Sequence, residues 1–239
     1  MRLPRVVVVT GTDTEVGKTV VTAALAASIG RDRKVAVLKP AQTGVGDGDA
    51  GDADEVRRLS GLESVHEGIR LRDPLAPTTA ARREGVTLPS VAEHAATVRE
   101  LAATHDVVLV EGAGGLLVGL DSQGAGLSEL ASALELPFGF VVVARGGLGT
   151  LNHSGLTTEA IRRRGHPVLG LVVGSAPRVP GLAEQTNLAD LEGVTGVPLI
   201  GMLPAGAGSM PPAEFRSAAP GWFGPPVTQS WARGPVEMD

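Results

Sequence analysis

The sequence predicts an α/β fold: a doubly wound, mostly parallel sheet with helices on both faces. Three observations predict it. The apolar runs Val6–Val9, Val107–Val110 and Phe138–Ala144 are continuous rather than alternating, as in strands buried on both faces. Segments with helical periodicity fill most of the intervals between such runs, which is the alternation a parallel sheet requires. The first run also passes through a Gly-bounded loop, Gly11-Thr-Asp-Thr-Glu-Val-Gly17, straight into a helical segment that opens with Lys18-Thr19.

The elements follow in order. Arg5–Thr10 reads as the first strand and Lys18–Ile29 as an Ala- and Leu-rich helix. Val35–Lys39 reads as the second strand, closed by Pro40. Thr43–Gly51, rich in Gly and Asp, reads as a mobile loop, and Asp52–Ser60 as a short helix with Gly61 after it. Glu63–Thr87 has no clear pattern: Pro74-Leu-Ala-Pro77 is a rigid turn, with Thr78 and Thr79 as caps for a short helix into Arg83. Pro89–Thr104 reads as a helix because Val91, Ala95, Val98, Leu101 and Ala102 recur at three- and four-residue steps. Val107–Val110 reads as a strand ending at Glu111, and Gly112-Ala-Gly-Gly115 as a turn. Leu127–Leu134 (helix), Phe138–Ala144 (strand), Thr150–Arg164 (helix), Val168–Gly174 (strand), Leu182–Glu192 (helix) and Pro198–Leu203 (strand) complete the pattern. Residues 1–206 are expected to form a single domain. The Pro/Gly-rich tail 207–239 is either pinned to it by Trp222, Phe223 and Trp231 or trails from it.

Composition bounds the function. The 239 residues are 43% hydrophobic, with 33 Gly and 17 Pro, enough for one large core and many turns. A net charge of −5 without a long basic stretch argues against a nucleic-acid partner and for a small-molecule ligand. The absence of Cys excludes disulfides, thiolate zinc sites and Cys nucleophiles. His66, His94, His105, His153 and His166 lack metal-ligand spacing. With no signal-peptide pattern and no apolar run of ~18 residues, a cytoplasmic protein without a membrane partner is expected.

A strand, a tight loop and a helix N-terminus make an anion site: backbone N–H groups converge on a phosphate, and the helix end adds roughly half a positive charge. Lys18 would reach the β/γ-phosphates, and the Thr19 hydroxyl would ligate Mg²⁺. The spacing is irregular, since Thr12 stands where the first Gly of a phosphate loop is usual and Gly11 comes one residue earlier. In a doubly wound sheet, ligands sit beyond the carboxyl ends of the strands. Thr10, Lys39, Glu111, Arg145 and Gly174-Ser175 should converge there. Lys39 is either a strand-end lysine reaching solvent or a second cation at a site for two anions. Glu111 has the position of a strand-end metal acid, with a helix-capping acid as the competing reading. Asp52 is either a metal carboxylate or one of several solvated acids with Asp47, Asp49 and Asp54. The adjacent His153 and Ser154 diverge on their helix, and His153 reads as a packing or capping residue.

Several motifs together resemble the dethiobiotin synthase family: Gly11-Thr-Asp-Thr-Glu-Val-Gly-Lys-Thr19 with its displaced Gly, Lys39-Pro-Ala-Gln-Thr-Gly44, Glu111-Gly-Ala-Gly-Gly115 and Leu148-Gly-Thr-Leu-Asn-His153. Their order and spacing agree over about residues 5–206. The resemblance implies a three-layer α/β/α fold of the P-loop NTPase type and an ATP-dependent ring closure in biotin synthesis. In that reaction 7,8-diaminononanoate takes up CO₂ (from bicarbonate) as a carbamate, which attacks the γ-phosphate to give a carbamic-phosphoric anhydride. The second amine then closes the ureido ring and expels phosphate. The resemblance further implies that Lys18 and Lys39 are catalytic and that Thr19, Asp52 and Glu111 hold Mg²⁺. The nucleotide would meet Glu15, Val16, Gly17, Lys18, Thr19, Val20, Asp52, Glu111, Gly112, Ala113 and Gly114. Its base would be flanked by Gly174, Ser175, Pro204, Ala205 and Gly206. Thr43 would meet the diamine or carbamate, while Thr150, Leu151 and Asn152 would receive the substrate carboxylate across a homodimer interface. Some members carry an Asn-Asp pair where Gly174-Ser175 stands, so the co-substrate is ATP or another nucleoside triphosphate. Nucleotide-switch ATPases of the partition and septum-site kind share the architecture. Their loop typically carries an extra Lys near its start, where this chain has Gly11-Thr12-Asp13.

Overall fold

A computed structural model describes residues 2–231. Strands β1 (Val6–Gly11), β2 (Val35–Gln42), β3 (Val65–Arg70), β4 (Val107–Gly115), β5 (Phe138–Ala144), β6 (Val168–Ala176) and β7 (Leu199–Pro204) form one seven-stranded sheet in the order β3-β2-β4-β1-β5-β6-β7. Every pairing between them is parallel. The helices are α1 (Lys18–Ile29), α2 (Asp52–Ser60), α3 (Pro77–Glu84), α4 (Val91–Thr104), α5 (Leu127–Ser132), α6 (Thr150–Arg163), α7 (Leu182–Thr195) and α8 (Pro212–Ala218). From β1 the chain builds outward to β3, returns to insert β4, and then crosses to β5. The order therefore reverses at β1 and opens a crevice at its carboxyl end.

Alternation along the central strands divides the core. Val7, Val9, Leu109, Val141 and Val143 point to one face with Val21, Leu25 and Leu59 of α1 and α2. Val6, Val8, Val108, Val110 and Val142 point to the other, with Val98, Leu130, Ile161 and Leu191 of α4 to α7. Helix α1 is buried on most of its surface because the sheet, α2 and the C-terminal segment all pack on it. That segment is ordered: Phe215, Phe223, Val227 and Trp231 are buried in the first core, and Phe223 bridges to Gly201 of β7. Residues 232–239 of the expected tail lie outside the described residues.

The strands differ from the sequence expectation at several places. β2 continues through Pro40 to Gln42. Its ladder to β4 ends at Leu38, so a residue without an N–H is tolerated two positions later. β4 runs on through the glycines to Gly115, beyond a register shift opposite Val9–Gly11, so Gly112–Gly115 is strand rather than turn. β3 lay within the unassigned stretch. It is an edge strand, and its sequence Val-His-Glu-Gly-Ile-Arg carries the polar residues edges tolerate instead of a buried run. For α3, the cap position is Ala76 with Pro77 at the first turn, so Thr78 and Thr79 lie inside the helix. Helix α5 stops at Ser132.

Candidate active site

The loop after β1 owes its shape to its small residues. A Cβ on Gly11 would lie 2.7 Å from the Asp13 carbonyl oxygen and 3.0 Å from Lys18 Nζ, so glycine is needed where the strand curls. Thr12 still donates its N–H to the Val143 carbonyl at 2.9 Å. The displaced glycine thus marks where the backbone leaves the sheet. Val16 plugs into the core at 2% exposure and anchors the loop from below. Glu15 and Gly17 hold positive φ of 57° and 94°, the first a sparsely populated conformation for a side-chain-bearing residue. Gly174 at the end of β6 lies directly under the loop: a Cβ there would collide with the Val16 carbonyl oxygen, and one on Gly17 would lie 2.9 Å from the Gly174 carbonyl oxygen.

Lys18, Thr19, Lys39, Thr43, Asp52, Glu111, Ala113 and Gly114 line one cleft of about 370 Å³ with Glu15, Gly17 and Val20. Two strands, the loops after β1 and β2, and the starts of two helices deliver them, which explains why residues far apart in sequence meet here. Glu111 is 1% exposed, and its Oε1 accepts from Thr19 Oγ1 at 2.8 Å and from Lys39 Nζ at 2.8 Å. Lys39 Nζ also lies 2.5 Å from Asp52 Oδ2 and donates to the Gly112 carbonyl at 3.2 Å. Lys39 is therefore no solvent-reaching lysine, and Glu111 caps no helix. Lys18 folds over the loop and donates to the Asp13 carbonyl at 2.9 Å.

The two lysines sit in opposite fields. Burial would lower Lys39, but the Glu111 and Asp52 carboxylates outweigh it and hold the ammonium above its ordinary value. For Lys18, burial and then repulsion from Lys39 dominate, and its ammonium falls below its ordinary value. The groups around Lys39 and Thr19 are carboxylate, hydroxyl and carbonyl oxygens. The Thr19 proton is directed to Glu111, which leaves the hydroxyl lone pairs for a cation. This is a hard-ligand set that fits Mg²⁺.

Other expected residues fall elsewhere. Ser175 is exposed, while Pro204, Ala205 and Gly206 line a separate pocket of about 540 Å³ with Ala176, Met202 and Trp222. Thr150, Leu151 and Asn152 open α6 and do not line the phosphate cleft of their own chain; Thr150 donates to the Arg145 carbonyl at 2.6 Å. Arg145 reaches the loop rim at Thr14 O, 3.2 Å away. Ser154 is buried and His153 exposed, so they form no pair. The sequence reading missed a second cavity, of about 520 Å³, that shares Thr14, Glu15, Thr43, Ala113 and Gly114 with the cleft and is walled by Pro74, Leu75, Ala76, Pro77 and Val118. Its only sequence signal was the rigid Pro74-Leu-Ala-Pro77 turn.

A strand-loop-helix phosphate site with a Lys-Thr pair and a strand-end acid, at the reversal point of a parallel sheet, defines a P-loop nucleotide-binding protein. The AAA domain family model matches residues 5–213. The chain is 56% identical to the ATP-dependent dethiobiotin synthetase BioD of Streptomyces coelicolor over 95% of its length and 94% of that protein. It is 55% identical to the protein of the same name from Rhodococcus jostii, over 91% of this chain and 94% of that one. This chain belongs to the ATP-dependent dethiobiotin synthetase family. Among solved structures it resembles the septum site-determining protein MinD of Pyrococcus horikoshii complexed with Mg-ADP, at TM-score 0.57 and 16% identity over 95% of this chain and 93% of that one. A ParA family ATPase of Chlorobium tepidum gives TM-score 0.55 and 13% identity over 96% of each chain. At such identity these neighbours share the three-layer fold, while the synthetases share the sequence.

Proposed function

We propose that this chain closes the ureido ring of dethiobiotin from 7,8-diaminononanoate, CO₂ and ATP. The observation that carries this reading is the junction at Thr43. There a cleft with Lys18, Lys39, Thr19 and Glu111 opens into a cavity walled by Pro74, Leu75, Pro77 and Val118. An aliphatic substrate can lie against the apolar wall with its amine end toward the γ-phosphate.

The chemistry asks for little acid–base work. The substrate carbamate is already an anionic nucleophile, so the protein's task is to align two anions and oppose their repulsion. Lys18 stands over the loop amides, where the β/γ-phosphates would lie. Lys39, fixed by Glu111 and Asp52, lines the same cleft as Thr43. Thr43 would hold the diamine or carbamate. Attack on the γ-phosphorus yields the carbamic-phosphoric anhydride and ADP; the second amine then adds to the carbonyl carbon and phosphate leaves. Thr19, Asp52 and Glu111 would hold Mg²⁺, which when bound neutralises charge on the phosphate oxygens. Glu15 to Val20 and Glu111 to Gly114 would surround the triphosphate. The base would lie toward Pro204, Ala205 and Gly206, near Gly174 and Ser175. We further propose a cytoplasmic homodimer in which Thr150, Leu151 and Asn152 receive the partner's substrate carboxylate. The 90% exposed Leu148 and 58% exposed Leu156, before and on α6, suit such an interface. No helix among the described residues is long and apolar enough to cross a membrane.

The test is a turnover assay with diamine, bicarbonate, Mg²⁺ and ATP, following phosphate and dethiobiotin together, with CTP and GTP in parallel. Equimolar products dependent on both diamine and bicarbonate are expected. Phosphate release without diamine and without ring product would sink the proposal.

A further inference from the structure

Gln42 and Arg70 face each other in register across β2 and β3, and both reach the loop joining β2 to α2. Gln42 is 4% exposed. Its Oε1 accepts from the Asp52 backbone N–H at 2.7 Å, and its Nε2 donates to the Thr43 carbonyl at 3.0 Å. A backbone donor on one side and a carbonyl on the other leave only one orientation for the amide. The side chain therefore ties together the two ends of the loop. Arg70 holds its outside, donating to the carbonyls of Asp49 at 2.6 Å and Gly46 at 3.2 Å. Glu67 grips the guanidinium from behind at 2.7 and 3.0 Å. Gly51 is wedged between the two: a Cβ there would lie 3.0 Å from Gln42 Oε1 and 3.2 Å from Arg70 Nη2.

The loop is also held by Gly44 N–H to the Asp73 carbonyl at 3.1 Å, by Gly51 N–H to Asp54 Oδ2 at 3.0 Å and by an Arg72–Asp47 ion pair, but none of these ties its two ends together. It is made largely of Gly and Asp, with Gly44 and Gly48 at positive φ, and ordering such a segment costs conformational entropy. Yet its ends, Thr43 and Asp52, both line the phosphate cleft. Neither Gln42 nor Arg70 does.

We propose that Gln42 and Arg70 form a clamp of positioning residues that closes the 43–51 loop and sets Asp52 and Thr43 at a fixed separation across the cleft. The clamp rests on the roles proposed above for those two residues. Without Gln42, the first N–H of α2 and the Thr43 carbonyl both lose a partner at a part-buried site, and Asp52 is no longer held against Lys39.

The test uses the full chain with Gln42→Met, which keeps the volume and removes both hydrogen bonds, and Arg70→Met. Three readings are made: amide hydrogen exchange over residues 44–51, Mn²⁺ affinity with a non-hydrolysable ATP analogue, and analogue affinity in EDTA. Each variant is expected to speed exchange in the loop and to weaken Mn²⁺ binding by about tenfold, the scale of one lost hydrogen bond. Analogue affinity in EDTA should stay near wild type, which a merely structural role would not predict. Unchanged exchange with superimposable Mn²⁺ titrations overturns the clamp, as does an equal loss of analogue binding in EDTA. If Gln42→Met does not fold, Arg70→Met carries the same readings. Asp52→Asn separates the two proposals. If it binds Mn²⁺ normally while Gln42→Met still frees the loop, the clamp stands and the metal role of Asp52 falls.

Discussion

Lys18 and Lys39 bring the same charge into one cleft, and their surroundings treat it oppositely. Lys39 is stabilised by Glu111 and Asp52, whereas Lys18 has the Asp13 carbonyl and a neighbouring ammonium. Lys18→Ala should lower turnover by at least ~10²-fold, the scale of one preorganised charge contact. Near-normal turnover would remove Lys18 from the γ-phosphate. The lowered pKa of Lys18 also carries a sign. Its charge is penalised by folding, so the penalty is full below the lowered value and relieved as pH rises through it toward 10.5. Activity needs the ammonium, so kcat/KM for nucleotide should fall on an alkaline limb lying below the ordinary lysine value, and Lys18→Arg should move that limb upward. Lys39→Ala should cut turnover comparably while nucleotide still binds. If it harms only stability, Lys39 is a structural counter-ion.

At the level of elements, the site depends on strand ends held in register. β4 delivers Glu111, which serves both Thr19 at the start of α1 and Lys39 on β2. Glu111→Gln should raise the Mg²⁺ concentration needed for half-maximal turnover; an unchanged titration would count against its role at the metal. β6 contributes through a contact that has no side chain. Gly174 lies against Val16 and Gly17 with no room for a methyl group. Gly174→Ala should push the phosphate loop off the sheet and abolish nucleotide binding, measurable by calorimetry, while the rest of the sheet stays folded.

Over the whole molecule, the segment after β7 is part of the core that supports α1. Phe215 is fully buried, stacks edge-on with Trp222 at 5.1 Å, and lies in the same cluster as Trp231 and Leu25. Phe215→Ala should cost about 3–5 kcal/mol, a large part of a stability of about 5–15 kcal/mol. A lower urea midpoint at unchanged slope would show it. Because α1 opens with Lys18 and Thr19, loosening this packing should also weaken nucleotide binding.

The phosphate loop, α1, α2 and β5 were legible from the chain alone, down to the bounds Lys18–Ile29, Asp52–Ser60 and Phe138–Ala144. Continuous apolar runs and helical periodicity are local signals, and so is a Gly-Lys-Thr opening a helix. Lys39, Glu111 and Asp52 could be nominated because strand and helix ends meet at one edge of a parallel sheet. Their competing readings could not be dismissed, since whether a strand-end lysine meets solvent or two carboxylates depends on neighbours far away in sequence. Tertiary structure alone decided the edge strand β3, whose polar residues carry no buried run, and the continuation of β2 through Pro40. It also decided the apolar cavity beside Thr43 and the place of Phe215 and Trp231 in the core. Each of these depends on which surfaces remain uncovered once the sheet is assembled, and that is a property of the packing rather than of any stretch of chain.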